Sequence, residues 1–417
     1  MGGHDEGGAR EDVWRYDIEK HEWREQPLRG KKAASPLPRL EFDGCHLGGG
    51  GGVAGTVFAP GTSRIFVFGG VQLEGEQVLI LNDLWSLDCS ATEISWTLVA
   101  EETPCPERAG HVCIALSSDA MFVHGGDCMR PLDDAWIYLA PSNSWVKVAV
   151  APGDPAPHAR AQHSAVYCPE IESVAIFGGL FIQDGETVHL NDLWLLHCPS
   201  SSISAGAGGA LFQWTNISCT DIAPSPRDLP MLSYVDGAGL LILGGFGLRE
   251  LREGEQLESL TLADTNPVQG EGGDDGALAL SYLDDAWLLR LAPATGSAEA
   301  VEFDVSDVVL GGGDCQESEV DKEDEEEGSA ESCVEVEVKE EEQEKEQGKE
   351  EEEEEGEGED REEEEEEVVI GPPRRGCKLV NIGDGVLMTF GGFDGQAFCS
   401  ETERIQISKL LTIIPSS

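Results

Sequence analysis

Four proline-rich stretches each end in arginine: Pro104-Cys105-Pro106-Glu107-Arg108, Pro157-His158-Ala159-Arg160, Pro224-Ser225-Pro226-Arg227 and Pro372-Pro373-Arg374-Arg375. A guanidinium offers its donors as a planar fork that matches a carboxylate or a phosphate bidentately. Arg108, Arg160, Arg227, Arg374 and Arg375 are therefore the candidate binding residues, suited to a carboxylate-bearing or phosphorylated partner. A structural role is open to the same side chains: pairing with an aspartate of a neighbouring repeat, or capping exposed carbonyls. His111 and His163 stand three residues after Arg108 and Arg160, where a local hydrogen bond at a strand start is favoured over metal ligation.

Other chemistry has less support. No Ser-His-Asp or Cys-His arrangement is visible, and the glycine run Gly48 to Gly52 is not followed by the G-K-[ST] of a phosphate loop. The 12 cysteines include no C-x-x-C pair, which argues against a zinc ribbon. Cys113, Cys168 and Cys198 lie in apolar strand-like runs, as small hydrophobes do in the reducing cytoplasm or nucleus. The sequence assigns no catalytic residue, no metal ligand and no cofactor.

The charge balance narrows the partners. With 27 basic and 81 acidic residues among 417, the formal net charge is −54. Such a chain repels nucleic-acid phosphates and anionic membranes, which leaves proteins as the expected partners. Residues 317 to 367 hold 31 acidic and 5 basic side chains, a net of −26, so the remainder keeps −28. Runs such as Glu350 to Glu355 offer no apolar face, and the sequence predicts a disordered acidic insert.

The elements that must position the arginines recur. Short apolar runs end in glycine doublets at Gly69-Gly70, Gly125-Gly126, Gly178-Gly179, Gly244-Gly245 and Gly391-Gly392. After the first four come Asp83-Leu84-Trp85, Asp134-Ala135-Trp136, Asp192-Leu193-Trp194 and Asp285-Ala286-Trp287, and a second Trp follows at Trp96, Trp145 and Trp214. Gly2-Gly3, Asp12-Val13-Trp14 and Trp23 fit the same frame, so all nine Trp occupy one of two repeat positions. The first doublet intervals are 56 and 53 residues, long enough for four short strands.

This pattern resembles the kelch repeat. The resemblance implies an all-β, kelch-type β-propeller of about six blades, each four antiparallel strands. The first blade is incomplete at the N-terminus, since its inner hairpin has no sequence ahead of Gly2-Gly3; a missing upstream segment is favoured over an open ring. The expected layout is blades 1–5 over residues 1–303 with a loop insert at 248–280, the disordered acidic insert over 304–372, and the last blade over 373–417. That blade is expected to draw its fourth strand from Leu410 to Ile414.

Some kelch-like propellers are copper oxidases and some plant specifier proteins hold iron. The five Tyr of this chain form no converging set with His, and the Glu-x-x-x-Asp-x-x-x-His pattern is absent. What the resemblance implies is a non-catalytic scaffold or adaptor that binds partners through inter-blade loops, ubiquitin-ligase or cytoskeletal components among them. The alternatives are an acidic-arm binder of basic proteins and, less favoured, a metal-dependent oxidase.

Overall fold

In the computed structural model, the described residues fall within 4–48, 63–250, 278–310 and 376–408, with short gaps inside these ranges. The chain divides into two compact units: one holds residues 1–313 and 368–417, and the other is the acidic segment 314–367, which lies outside the described residues.

The first unit is almost entirely antiparallel sheet. Blade 2 runs Asp43–Gly48, Ser63–Glu74, Gln77–Asp88 and Ser95–Ala100, and blade 3 runs Val112–Ser117, Ala120–His124, Ala135–Leu139 and Ser144–Lys147. Blade 4 comprises Ser164–Cys168, Ser173–Phe177, Leu193–His197 and Leu211–Cys219; blade 5 comprises Met231–Val235, Gly239–Leu243, Ala286–Ala292 and Ser297–Phe303. Inner strands of blades 2 to 6 touch in succession, and Lys378 of blade 6 reaches Asp43 of blade 2 at 3.3 Å. The fold is the all-β kelch propeller that the repeat predicts.

Strand alternation explains why the blades stack. Within Ser173–Phe177 every side chain is buried. Val174 and Ile176 join the layer shared with Phe122 and Ile137 of blade 3, while Ala175 and Phe177 join the one shared with Leu240 and Ile242 of blade 5. Period 2 thus feeds two cores at once. Trp194, Trp214 and Trp287 are buried in these layers, and Trp145 packs on Tyr138 and Phe68 at 5.2 and 5.1 Å in the layer between blades 2 and 3.

One element differs from the sequence reading. Among the described residues, the fourth strand of blade 6 (Lys378–Gly383, Val386–Phe390, Thr402–Gln406) is Val309–Leu310, drawn from the stretch expected to be disordered insert. Leu410 to Ile414 lie outside the described residues. A two-residue apolar pair next to a long polar tract has no visible period, but it suffices to pair with Ile405 and Arg404. Blade 1 is the two-stranded sheet Trp14–Asp17 with Glu22–Glu25. It sits between blades 6 and 2: Trp23 packs on Phe390 at 6.1 Å, Arg404 donates to the Ile18 carbonyl, and Val13 is buried with Leu87 and Ile94.

The doublets are required by close approach. Gly125 has φ +64°, and a Cβ there would lie 2.6 Å from the Arg160 carbonyl oxygen and 2.8 Å from the His163 ring. Gly125→Ala is expected to destabilise the protein by about 2 kcal/mol or more, from the left-handed backbone and from backbone atoms that cannot yield. Chemical denaturation reads this directly, and a midpoint equal to that of Gly153→Ala, where a Cβ meets nothing within 4 Å, would contradict it.

Candidate functional site

The predicted arginines are found at the doublets, but they do not face a ligand. Arg108, Arg160 and Arg227 are each 0% exposed. Arg160 is representative: its Nε donates to the His158 carbonyl at 3.1 Å, Nη1 to the Gly178 carbonyl at 3.0 Å and to Asp192 Oδ1 at 2.7 Å, and Nη2 to Asp192 Oδ2 at 2.7 Å. Arg108 makes the same set with Pro106, Gly125 and Asp134, and Arg227 with Ser225, Gly244 and Asp285. Binding of a partner's carboxylate or phosphate by these three is therefore corrected to a structural role: their forks are filled from within. The aspartate belongs to the arginine's own blade, not to a neighbour. Arg374 and Arg375 lie outside the described residues.

Each aspartate is shared with the tryptophan two residues on. Trp85, Trp136, Trp194 and Trp287 donate Nε1–H to Asp83, Asp134, Asp192 and Asp285 at 2.6 to 2.7 Å. Burial pushes the Asp134 and Asp192 carboxyls up, but the arginine fork and the indole outweigh it, and both are held below the usual range. A fourth clamp was missed by the sequence reading. Arg39 bonds the Gly69 carbonyl at 3.1 Å and both Asp83 oxygens at 2.7 and 3.0 Å. Its signal was present, because Pro36-Leu37-Pro38-Arg39 repeats the proline-then-arginine spacing.

His111, His124 and His163 form a second buried group. His124 Nδ1 meets His163 Nε2 at 3.0 Å, and His111 packs edge-on against Phe68 at 5.4 Å. Burial pushes His111 and His124 down to about 3 and His163 well below its ordinary value, with the nearby Arg108 and Arg160 adding to the effect. All three are neutral near pH 7. Burial likewise raises the Cys105 and Cys198 thiols to about 12, so these are packing residues and not nucleophiles. Among the described residues, no group of three or more His, Cys, Asp or Glu is arranged to hold a metal, and no helix is long and apolar enough to cross a membrane.

What the fold leaves open to a partner is one end of the sheets. In blades 3 to 5 the second strand ends at the doublet, where the connection to the third strand leaves, and in blade 2 it runs on through Gly69-Gly70 as far as Glu74. The loops from one blade to the next arrive at the same end, since the N–H groups of Gly70, Gly126 and Gly179 donate to the carbonyls of Arg108, Arg160 and Arg227 at 2.8 to 2.9 Å. Ribbons project from this face: the distal halves of Ser63–Glu74 and Gln77–Asp88 in blade 2, and Leu180–Gln183 with Glu186–His189 in blade 4. They carry Leu73, Val78 (62% exposed), Leu79 and Ile182 (59%), with Met129 (94%) and Ile222 on neighbouring loops. Among the described residues, the other exposed large apolar side chains are Trp14, Ile18 and Trp23 on the blade 1 hairpin and Leu98 on an outer strand.

Comparison with known proteins agrees with the repeat. A family model described as the Kelch motif matches residues 1–27. The flagellar outer arm dynein alpha chain of Chlamydomonas reinhardtii is 30% identical over 218 residues, 49% of this chain and 4% of its own length. Kelch domain-containing protein 1 of Mus musculus is 26% identical over 204 residues, covering 47% of this chain and 43% of the relative. Kelch domain-containing protein 2 of Mus musculus is 31% identical over 159 residues, 36% of this chain and 35% of the relative. The match spans less than half the length of each of these relatives. Kelch repeats generally mediate protein–protein interactions.

Proposed function

We propose that this kelch-repeat protein is a non-catalytic scaffold or adaptor, holding protein partners on the face built from its inter-blade loops and second-to-third-strand ribbons. The observation that carries the reading is the set of apolar side chains standing in water at that one end of the sheets, Leu73, Val78, Met129 and Ile182 foremost. Exposed apolar groups cost free energy that a partner's surface recovers, and grouped ones mark interaction sites. The rigid blades beneath them suit recognition by loops.

The triple variant Leu73→Asp, Val78→Asp, Ile182→Asp tests it. Affinity capture with quantitative mass spectrometry is expected to recover partners at least about tenfold less well with the variant than with the intact chain, since one lost anchor costs more than about 1.4 kcal/mol. An unchanged melting transition shows that the fold survives. The same partners at the same yield from both proteins would remove this face from the docking role. The second reading, an acidic-arm binder of basic proteins, is favoured by the net −26 of residues 317 to 367; it requires capture that moderate salt releases and the triple variant leaves intact.

A further inference from the structure

The sign of the partner's charge follows from which side chains the propeller buries. Every basic group assigned to the doublet clamps among the described residues, Arg39, Arg108, Arg160 and Arg227, is buried and consumed by its own aspartate and carbonyls. None contributes a positive charge to the loop face. Exposed carboxylates stand on the same loops and ribbons as the apolar side chains. Glu107 lies within 3.2 Å of the Cys128 thiol and so borders the Met129 loop, which also carries Asp133. Glu186 stands opposite Gln183 at the tip of the blade 4 ribbon that carries Ile182. Asp154 lies on the loop whose His158 stacks on Phe181 of the same ribbon at 5.9 Å. Glu101 and Glu102 follow the outer strand of blade 2 on a loop tied to that blade by the Asn82 and Thr103 hydrogen bonds. Among the side chains described on these loops and ribbons, Arg130 is the exposed Lys or Arg set against these six, and Lys378 at the start of the blade 6 inner strand is paired with Asp43.

We propose that this face takes a partner segment that is both basic and apolar, a peptide stretch whose aliphatic side chains seat on Leu73, Val78, Met129 and Ile182 while its Lys or Arg residues meet the surrounding carboxylates. Charge complementarity selects this occupant. A second copy of the chain would bring another −54, and an acidic or phosphorylated segment would meet carboxylates where the clamp arginines are closed off. On this proposal the partner's charge is opposite in sign to the one expected of Arg108, Arg160 and Arg227 in the sequence. This inference rests on the docking role proposed above.

The probe is a displayed library of random 12-residue peptides selected against the intact chain at about 0.1 M salt, where exposed charges are felt across roughly 10 Å. Enriched peptides are expected to carry net positive charge together with aliphatic or Met residues. Their affinity is expected to fall at least about tenfold, more than about 1.4 kcal/mol, both in the triple apolar variant and in Glu107→Lys, Asp133→Lys, Glu186→Lys. Basic peptides indifferent to both variants would be bound by the acidic segment, which overturns the proposal. Peptides weakened by the apolar variant but neutral or acidic would also overturn it, while leaving the docking role standing. If no sequence is enriched, both readings fall together.

Discussion

Arg160→Met is expected to cost about 3–5 kcal/mol of folding stability. The substitution keeps much of the apolar stem and removes the fork. Asp192 then loses both of its guanidinium bonds, and the carbonyls of Gly178 and His158 lose their donors. Asp192 is one-quarter exposed, so water recovers part of its solvation and the cost falls toward the lower bound. Adding Asp192→Asn removes the stranded charge while keeping an acceptor for Trp194, and is expected to return a substantial part of the loss. Urea midpoints of the parent, the single and the double variant decide it. A single variant within about 1 kcal/mol of the parent, or a double variant no better than the single, would mean the fork is not a keystone.

Acid is expected to weaken the fold before most carboxylates titrate. His111 and His124 have folded-state values near 3 and His163 lies well below 6.5, whereas all three return to ordinary behaviour on unfolding. The unfolded chain then binds more protons, so the stability present above pH 6.5 is lost as pH falls toward 3. At pH 5 His111 and His124 each contribute a loss of about 2 kcal/mol, and His163 adds to it in the same direction. Arg108, Arg160 and Lys378 add to the cost of a charge here, while Asp43 and Asp134 reduce it. His124→Phe places at this position the residue that Phe68, Phe177 and Phe390 supply in other blades. It is expected to remove about 2 kcal/mol of the loss between pH 7.5 and 5, read as the change in urea midpoint. An identical pH dependence in variant and parent would exclude the buried ring as a cause.

The repeat was legible because its strongest signals are backbone signals. A doublet with positive φ and a carbonyl under 3 Å from each missing Cβ admits no other residue, so Gly69, Gly125 and Gly178 stand out in any reading of the chain. The Asp-x-Trp pairs were equally visible, and their chemical link, an indole donating to the carboxylate two residues back, follows from the spacing. The destination of the arginines was not legible. A long side chain after proline reaches either inward or outward from the same backbone, and the choice depends on an aspartate 26 to 58 residues downstream. Arg39 obeys the same rule, since Gly2-Gly3, Asp12-Val13-Trp14 and Trp23 precede Pro36-Leu37-Pro38-Arg39 in the repeat's own order. Val309–Leu310 was hidden by composition: two apolar residues beside a polyacidic tract carry no period, and only pairing with Ile405 and Arg404 reveals the strand.

The clamp has one more implication, for how such a chain can grow or shrink. Arg108 gives its carbonyl to Gly70 of the blade before and its guanidinium to Gly125 and Asp134 of its own. Arg160 and Arg227 do the same one step further round. The module that can be copied or excised without breaking a clamp therefore begins just before one arginine and ends just before the next, carrying a doublet and an Asp-x-Trp between them. A cut through the doublet would instead join an arginine to a foreign aspartate. The genetic unit of this propeller is thus the interval from arginine to arginine, and each junction brings its own lock for the neighbour it meets.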